Sequence, residues 1–567
     1  MTDFVLTLHS HLPWVLHHGR WPHGSDWLCE AAVDTYLPLL VGLDMLEHQQ
    51  VASPLTVGVT PILANQLAHP DFIREVEAFL AQRIEACDEA IDEFSATGET
   101  HLVPLAGYWR VRMQRLRRRL RRSGGDLVGA LRDHARAGRI ELTSSAATHG
   151  FLPLLARDES IRLQLILGRR EHQRLFGGEA QGCWVPECAY RPAGPWSPDP
   201  SAPAQAWRAG VETHLRESGF RYFFADAHMA EAGQTLGLYG ESHFVDGIRE
   251  PEVAEIDRLY PRSPYRAYDL AGTGGQVSAL VRDPVSTLRV WSRHQGFPGD
   301  GGYLEFHKIK FPGGLKFWRV TGSDVDLGGK EPYDQNIARA RAHRHAADYV
   351  ALLRSLVDAS EPVGGEVLAV PFDTELFGHW WFEGVDFLGD VYRALSRQRT
   401  VRPVTAWEHL RRRERSGESG RGREHRTVIQ LAEGSWGANG DFSKWLNHET
   451  LWTWQRLWPL EARFWDAART HLPGCPPERL PAWAQATREL LLAQSSDWQF
   501  IISTGAAGDY AERRFREHCD GLEALLAGLE AGPDGDGAAI DALTGRLHAL
   551  DDPFPDPLPV VRAVLAG

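Results

Sequence analysis

Gly182-Cys-Trp-Val-Pro186, followed by Glu187, reads as a short buried β-strand that opens onto an acid. Working outward from it, six more runs have the same form. Phe4-Val-Leu-Thr-Leu8 leads into His9 and His11; Leu55-Thr-Val-Gly-Val59 into Thr60; Ile140-Glu-Leu-Thr143 into Ser144, Ser145 and His149. Tyr222-Phe-Phe-Ala225 leads into Asp226 and His228; Val277-Ser-Ala-Leu-Val281 into Arg282 and Asp283; Val367-Leu-Ala-Val-Pro-Phe372 into Asp373. Helical patterns lie between most of them, which calls for parallel strands with right-handed crossovers and chemistry at the carboxyl ends. An open doubly wound sheet is the alternative. Its usual ligands would need a glycine-rich phosphate loop after an early strand, and none is present.

Two stretches interrupt the alternation. Residues 70–135 are too long for one crossover and contain eight arginines between Arg110 and Arg122, with Met113, Leu116 and Leu120 at helical spacing. This reads as a helical insertion whose arginines form a solvated face. Residues 229–276, rich in Gly, Pro and Tyr, read as an extended loop region over the rim. The charged, glycine-containing segment 411–426 reads as a linker. Beyond it, 427–567 has helical periodicity, with Leu451, Trp454, Trp458 and Trp465 on one face. The expected organisation is a distorted (β/α)7 barrel over 1–410 carrying the insertion, then the linker, then a C-terminal α-helical domain.

The bulk composition narrows the function. A chain of 567 residues that is 43% hydrophobic can bury a large core. A net charge of -14 opposes non-specific nucleic-acid binding, which needs a basic field. No apolar run approaches the ~20 residues of a membrane span, and the acidic N-terminal start is unlike a secretory signal. Six cysteines without paired metal-type spacing suggest reduced thiols and a cytoplasmic protein. Twenty tryptophans suit a partner with flat apolar faces such as a sugar, although most of them belong to the core.

Retaining glycosyl transfer needs a nucleophilic carboxylate and a second carboxyl group that protonates the leaving oxygen, ~5–5.5 Å away. Glu187 and Asp373, on different strand ends among aromatic neighbours, can meet that need. Either one alone is equally readable as a cap or an ion-pair partner.

The chain resembles glycoside hydrolase family 57, and within it the 1,4-α-glucan branching enzymes. The resemblance is carried in order by His9-Ser-His-Leu-Pro13, Ser145-Ala-Ala-Thr-His-Gly150, Trp184-Val-Pro-Glu-Cys-Ala-Tyr190, Phe372-Asp-Thr-Glu-Leu-Phe-Gly-His379 and Ser495-Ser-Asp-Trp498. It implies that Glu187 is the nucleophile and Asp373 the general acid/base of a double displacement on α-1,4-glucan, forming α-1,6 branches as in glycogen synthesis. It further implies glucan-binding positions at Arg282, Gly299, Trp436 and Asp497, and acceptor-groove tryptophans at Trp291 and Trp445. A loop tyrosine expected to cover the acceptor side falls on Tyr239. No cofactor is implied. His9 and His11 have a spacing that could reach a cation; the preferred reading is that they hydrogen-bond the sugar or orient Glu187, with no metal.

An α-amylase or 4-α-glucanotransferase would use the same two acids. A glucan-binding protein without catalysis would have lost one of them. A metal-dependent deacetylase or mannosidase would lose activity with a chelator.

Overall fold

A computed structural model describes residues 1–198, 206–231, 262–292, 296–360, 366–418, 427–532 and 536–567. Seven parallel strands form the frame: Thr2–Ser10, Leu55–Val59, Ile140–Ser145, Gly182–Trp184, Tyr222–Ala225, Ser278–Val281 and Val367–Asp373. They pair in chain order from first to sixth, and the first also pairs with the seventh. A parallel bridge between Arg282 and Ala369, with the Asp283 N–H donating to the Ala369 carbonyl at 2.8 Å, joins the sixth to the seventh and closes the ring. All seven coincide with the runs read from the sequence. Their residues are buried on both faces, as parallel strands between layers must be, and this is why they are apolar runs without alternation.

Register decides which side chains meet at the rim. Asp3 pairs with Val367, and the ladder runs to His9 opposite Asp373. Ser145 lies opposite Trp184, so the third and fourth strands end together.

The stretch 70–135 is helical, in Pro70–Thr97, Val103–Arg122 and most of Leu127–Arg136. Its arginines form surface ion pairs, among them Arg110 with Asp88 and Arg117 with Glu77. Two readings need correction. Within 229–276, Ala267–Leu270 is a strand antiparallel to the sixth barrel strand, with Val428–Ile429 on its other edge. The segment read as a linker begins as helix: Ala406–Glu418 runs through Arg411. Arg413 reaches the buried Asp269 at 2.9 Å and Arg412 pairs with Glu408 one turn back, so the charge run is held by partners rather than by water alone.

Beyond residue 427 the chain is mainly helical, with long helices Leu451–His471, Leu480–Ala493 and Gly508–Glu530. The tryptophan stripe packs onto the barrel. Trp458 donates to the Leu154 carbonyl and Trp465 to Ser160, while Glu461 accepts from the Ala156 N–H. The helical region is therefore fastened to the loop and helix after the third strand through buried polar contacts. All six cysteines are free, and among the described residues no helix is long and apolar enough to cross a membrane.

Candidate active site

Glu187 lies just past the fourth strand, in the 3-10 turn Pro186–Cys188. The strand ends at Trp184, and Pro186, which has no N–H for a further ladder bond, opens the turn. Glu187 then adopts φ 59° and Cys188 φ 48°, and His149 on the neighbouring loop has φ 58°. These left-handed conformations cost energy in non-glycine residues and cluster at functional sites. Three of the seven among the described residues occur here.

Two donors hold the Glu187 carboxylate, and both come from beyond residue 427. The Trp436 indole N–H donates to Oε2 at 2.8 Å, and the Ser496 hydroxyl donates to Oε1 at 3.1 Å. The backbone fixes these donors in turn. The Trp436 N–H bonds the Glu187 carbonyl at 3.0 Å, Tyr190 and Gly434 exchange two bonds, and the Ser496 N–H bonds the His149 carbonyl at 3.1 Å. Gly434 admits no side chain, since a Cβ there would meet His228 at 2.7 Å and the Gly440 carbonyl at 2.8 Å.

Burial pushes the Glu187 carboxyl up to about 7, with Asp497 adding to the rise while Trp436, His11 and Ser496 oppose it. Its side chain keeps 15% exposure, so the group is enclosed yet reachable.

Asp373 ends the seventh strand in different surroundings. Burial holds its carboxyl well above the usual carboxylate range; Glu375 and Glu187 add to this and Arg282 opposes it. Glu375 is itself pushed up to about 7 by burial and accepts a short hydrogen bond from Tyr36. Arg282, 1% exposed, pairs with Asp226 through Nη2, while its Nε and Nη1 have no protein acceptor. Burial disfavours the Asp226 anion, but Arg282 and His228 together hold its carboxyl below the usual value.

Histidines cluster beside Glu187. The His11 Nδ1 meets Thr60 at 3.0 Å and its Nε2 meets Asp497 at 2.8 Å. The His149 Nε2 meets His9 Nε2 at 3.1 Å and its Nδ1 meets Ser496 at 2.9 Å. His11, His149 and Asp497 bring three potential ligand atoms within 4.8 Å of one another, yet all four ring nitrogens of these two histidines already have protein partners.

Several residues expected from the sequence thus gather around Glu187, namely Trp436, Asp497, His9 and His11, with Arg282 and Asp373 at the ends of the sixth and seventh strands. Trp291 joins them at the end of its helix, 6.5 Å from Trp436 and 6.3 Å from Trp380 between ring centres. Gly299 closes the turn Phe297–Gly299. Trp445 differs from expectation. Its ring is 1% exposed and packs on Phe151, with Gly437 against it, so it braces the Trp436 loop instead of presenting a face to an acceptor. Tyr239 lies outside the described residues. Sequence reading passed over Ser496, although it sits inside the Ser495-Ser-Asp-Trp498 motif, and over Glu375 in the motif around Asp373.

A parallel seven-stranded barrel with two partly enclosed carboxyl groups at its carboxyl-terminal rim points to a class, the carboxylate-dependent glycoside-cleaving enzymes. The chain belongs to glycosyl hydrolase family 57, whose model matches residues 5–420. Residues 460–556 match the model for the C-terminal region of 1,4-alpha-glucan branching enzymes. A 1,4-alpha-glucan branching enzyme of Thermococcus kodakarensis is 37% identical over 522 residues, 91% of this chain and 72% of that protein. Its crystal structure in complex with glucose superposes with a TM-score of 0.88, at 35% identity, covering 100% of this chain and 96% of that one. An alpha-amylase of Thermotoga maritima superposes with a TM-score of 0.78, at 26% identity and 98% coverage of both chains.

Proposed function

We propose that this protein is a 1,4-α-glucan branching enzyme in which Glu187 is the nucleophile and Asp373 the general acid/base. The observation that carries the assignment is the contrast in their surroundings. Glu187 accepts two hydrogen bonds that favour its anion, whereas Asp373 sits between other acids that favour its neutral form. A protonated Asp373 gives its proton to the leaving glycosidic oxygen as the Glu187 carboxylate attacks the anomeric carbon. The resulting glycosyl ester is then attacked by a 6-hydroxyl of another glucan, and Asp373, now a base, takes the proton of that hydroxyl. The free donors of buried Arg282 suit a glucose hydroxyl. Trp291 and the part-exposed Trp380 offer aromatic surface for the acceptor chain. Glycogen synthesis in the cytoplasm is the setting that fits this chemistry.

Transfer rather than hydrolysis requires the acceptor to win over water, and Trp436 and Ser496, from beyond residue 427, lie against the Glu187 carboxylate. Incubation with amylose tests the reading. Branching lowers iodine staining and creates α-1,6 linkages, seen as new anomeric proton signals, with little reducing sugar. Steady release of reducing ends without α-1,6 signals would identify an amylase instead.

A further inference from the structure

Three side chains behind Glu187 form a line that the double-displacement chemistry does not by itself require. The Ser496 hydroxyl has one proton, and it is donated to Glu187 Oε1. Its oxygen must then accept from His149 Nδ1, 2.9 Å away. Burial and the imidazoles of His11 and His9 hold His149 well below the usual histidine range, so the ring is neutral and carries its only proton on Nδ1. His149 Nε2 is therefore an acceptor, and His9 must donate to it from Nε2 across 3.1 Å. His9 is neutral for the same reasons, burial and nearby His11, which leaves its Nδ1 bare; that atom is buried and has no hydrogen-bond partner. Each assignment forces the next, and all three protons point toward Glu187.

We propose that His9, His149 and Ser496 form a one-directional hydrogen-bond chain that positions Glu187 Oε1 and favours its anion, so that these are positioning residues and not sugar contacts. Stacking locks the chain: the His9 ring lies 4.5 Å from Trp184 and the His149 ring 4.0 Å from His11, both nearly parallel. His149 itself, 3.7 Å from Glu187 Oε1, is too far to replace the serine. Aligned donors polarise one another, so the chain supports the anion more than a lone hydroxyl would. The other groups facing Glu187 are Trp436, His11, Asp497 and, across the pocket, Asp373. The chain also runs between domains, from the first and third strand ends into the Ser-Ser-Asp-Trp turn.

The proposal rests on Glu187 being the nucleophile, and its test separates the two claims. Carboxyl ionisation of Glu187 is followed by infrared difference titration, subtracting the matched Glu187→Gln protein, in the parent and in Ser496→Ala. Branching kinetics on amylose are measured alongside. The chain predicts that Ser496→Ala raises the Glu187 midpoint by about one pH unit and moves the acidic limb of kcat/KM with it. It also predicts a kcat loss of about 10–100-fold with KM within about twofold. Ser496→Thr, which keeps the hydroxyl, restores both. His149→Ala matches Ser496→Ala, whereas His149→Asn, which retains a donor near the Nδ1 position, falls between. An unmoved midpoint in folded Ser496→Ala, or a raised KM with unchanged kcat, overturns the proposal. Persisting activity in Glu187→Gln would instead remove the nucleophile assignment, while the midpoint still decides whether the chain acts on this carboxyl.

Discussion

Glu187 and Asp373 stand at strand ends of the same barrel, both enclosed, but their neighbours come from different parts of the chain. The surroundings of Asp373 are almost wholly barrel: the seventh strand, Glu375 two residues on, and Arg282 on the sixth strand. Those of Glu187 are shared, with both hydrogen bonds to its carboxylate supplied by the region beyond residue 427. Burial alone would neutralise both acids. The comparison teaches that Asp373 is set by the barrel, whereas the helical region supplies both donors to the Glu187 carboxylate, and on the proposed assignment those donors favour the anion that a nucleophile needs.

The sharpest way to break this contrast is to remove the acids one at a time. Glu187→Ala and Asp373→Ala should each cut branching on amylose by about a thousandfold or more. A glucosyl donor with an activated leaving group should rescue glycosylation in Asp373→Ala, because that group leaves without a proton. It should not rescue Glu187→Ala. Equal rescue of both would erase the difference in roles.

Removing one donor comes next in size. Trp436→Phe keeps an aromatic ring, though a smaller one, but loses the N–H to Oε2, so kcat should fall by about 10–100-fold. The acidic limb of the pH profile should move upward, since the anion loses a partner. Asp373 variants leave those donors in place, so a matching upward shift in them would count against the contrast.

A smaller effect is expected in stability. A carboxyl pushed up to about 7 from an unfolded value of 4.5 is favourable to folding below the lower value, and that benefit is lost as pH rises through the upper one. Glu187→Gln, which cannot ionise, should therefore be more stable than the parent above pH ~7, by about 1–3 kcal/mol. The difference should vanish near pH ~4.5. Thermal denaturation at the two pH values checks this, and a variant less stable at both would show that the charge is not strained by burial.

Much of the frame was legible in the sequence because buried parallel strands must be apolar runs. Each of the seven ended in the polar residue that the rim uses. The acids were legible as a pair, but their roles were not, because roles depend on neighbours hundreds of positions away. Trp436 is 249 residues from Glu187 and Ser496 is 309. Trp445 misled for the related reason that an aromatic in a glucan-active chain looks the same whether it faces sugar or Phe151. Of the expected linker 411–426, the part to Glu418 is helix and 419–426 lie outside the described residues; charge without apolar periodicity describes both a solvated coil and a helix whose arginines find buried acids such as Asp269.

The central claim is that Glu187, not Asp373, forms the covalent bond to the sugar. It is tested most directly by trapping the glycosyl-enzyme with an activated fluorinated glucosyl fluoride in Asp373→Ala and mapping the label by peptide mass spectrometry. The account predicts a single adduct on Glu187, abolished by Glu187→Gln; an adduct on any other residue would contradict it.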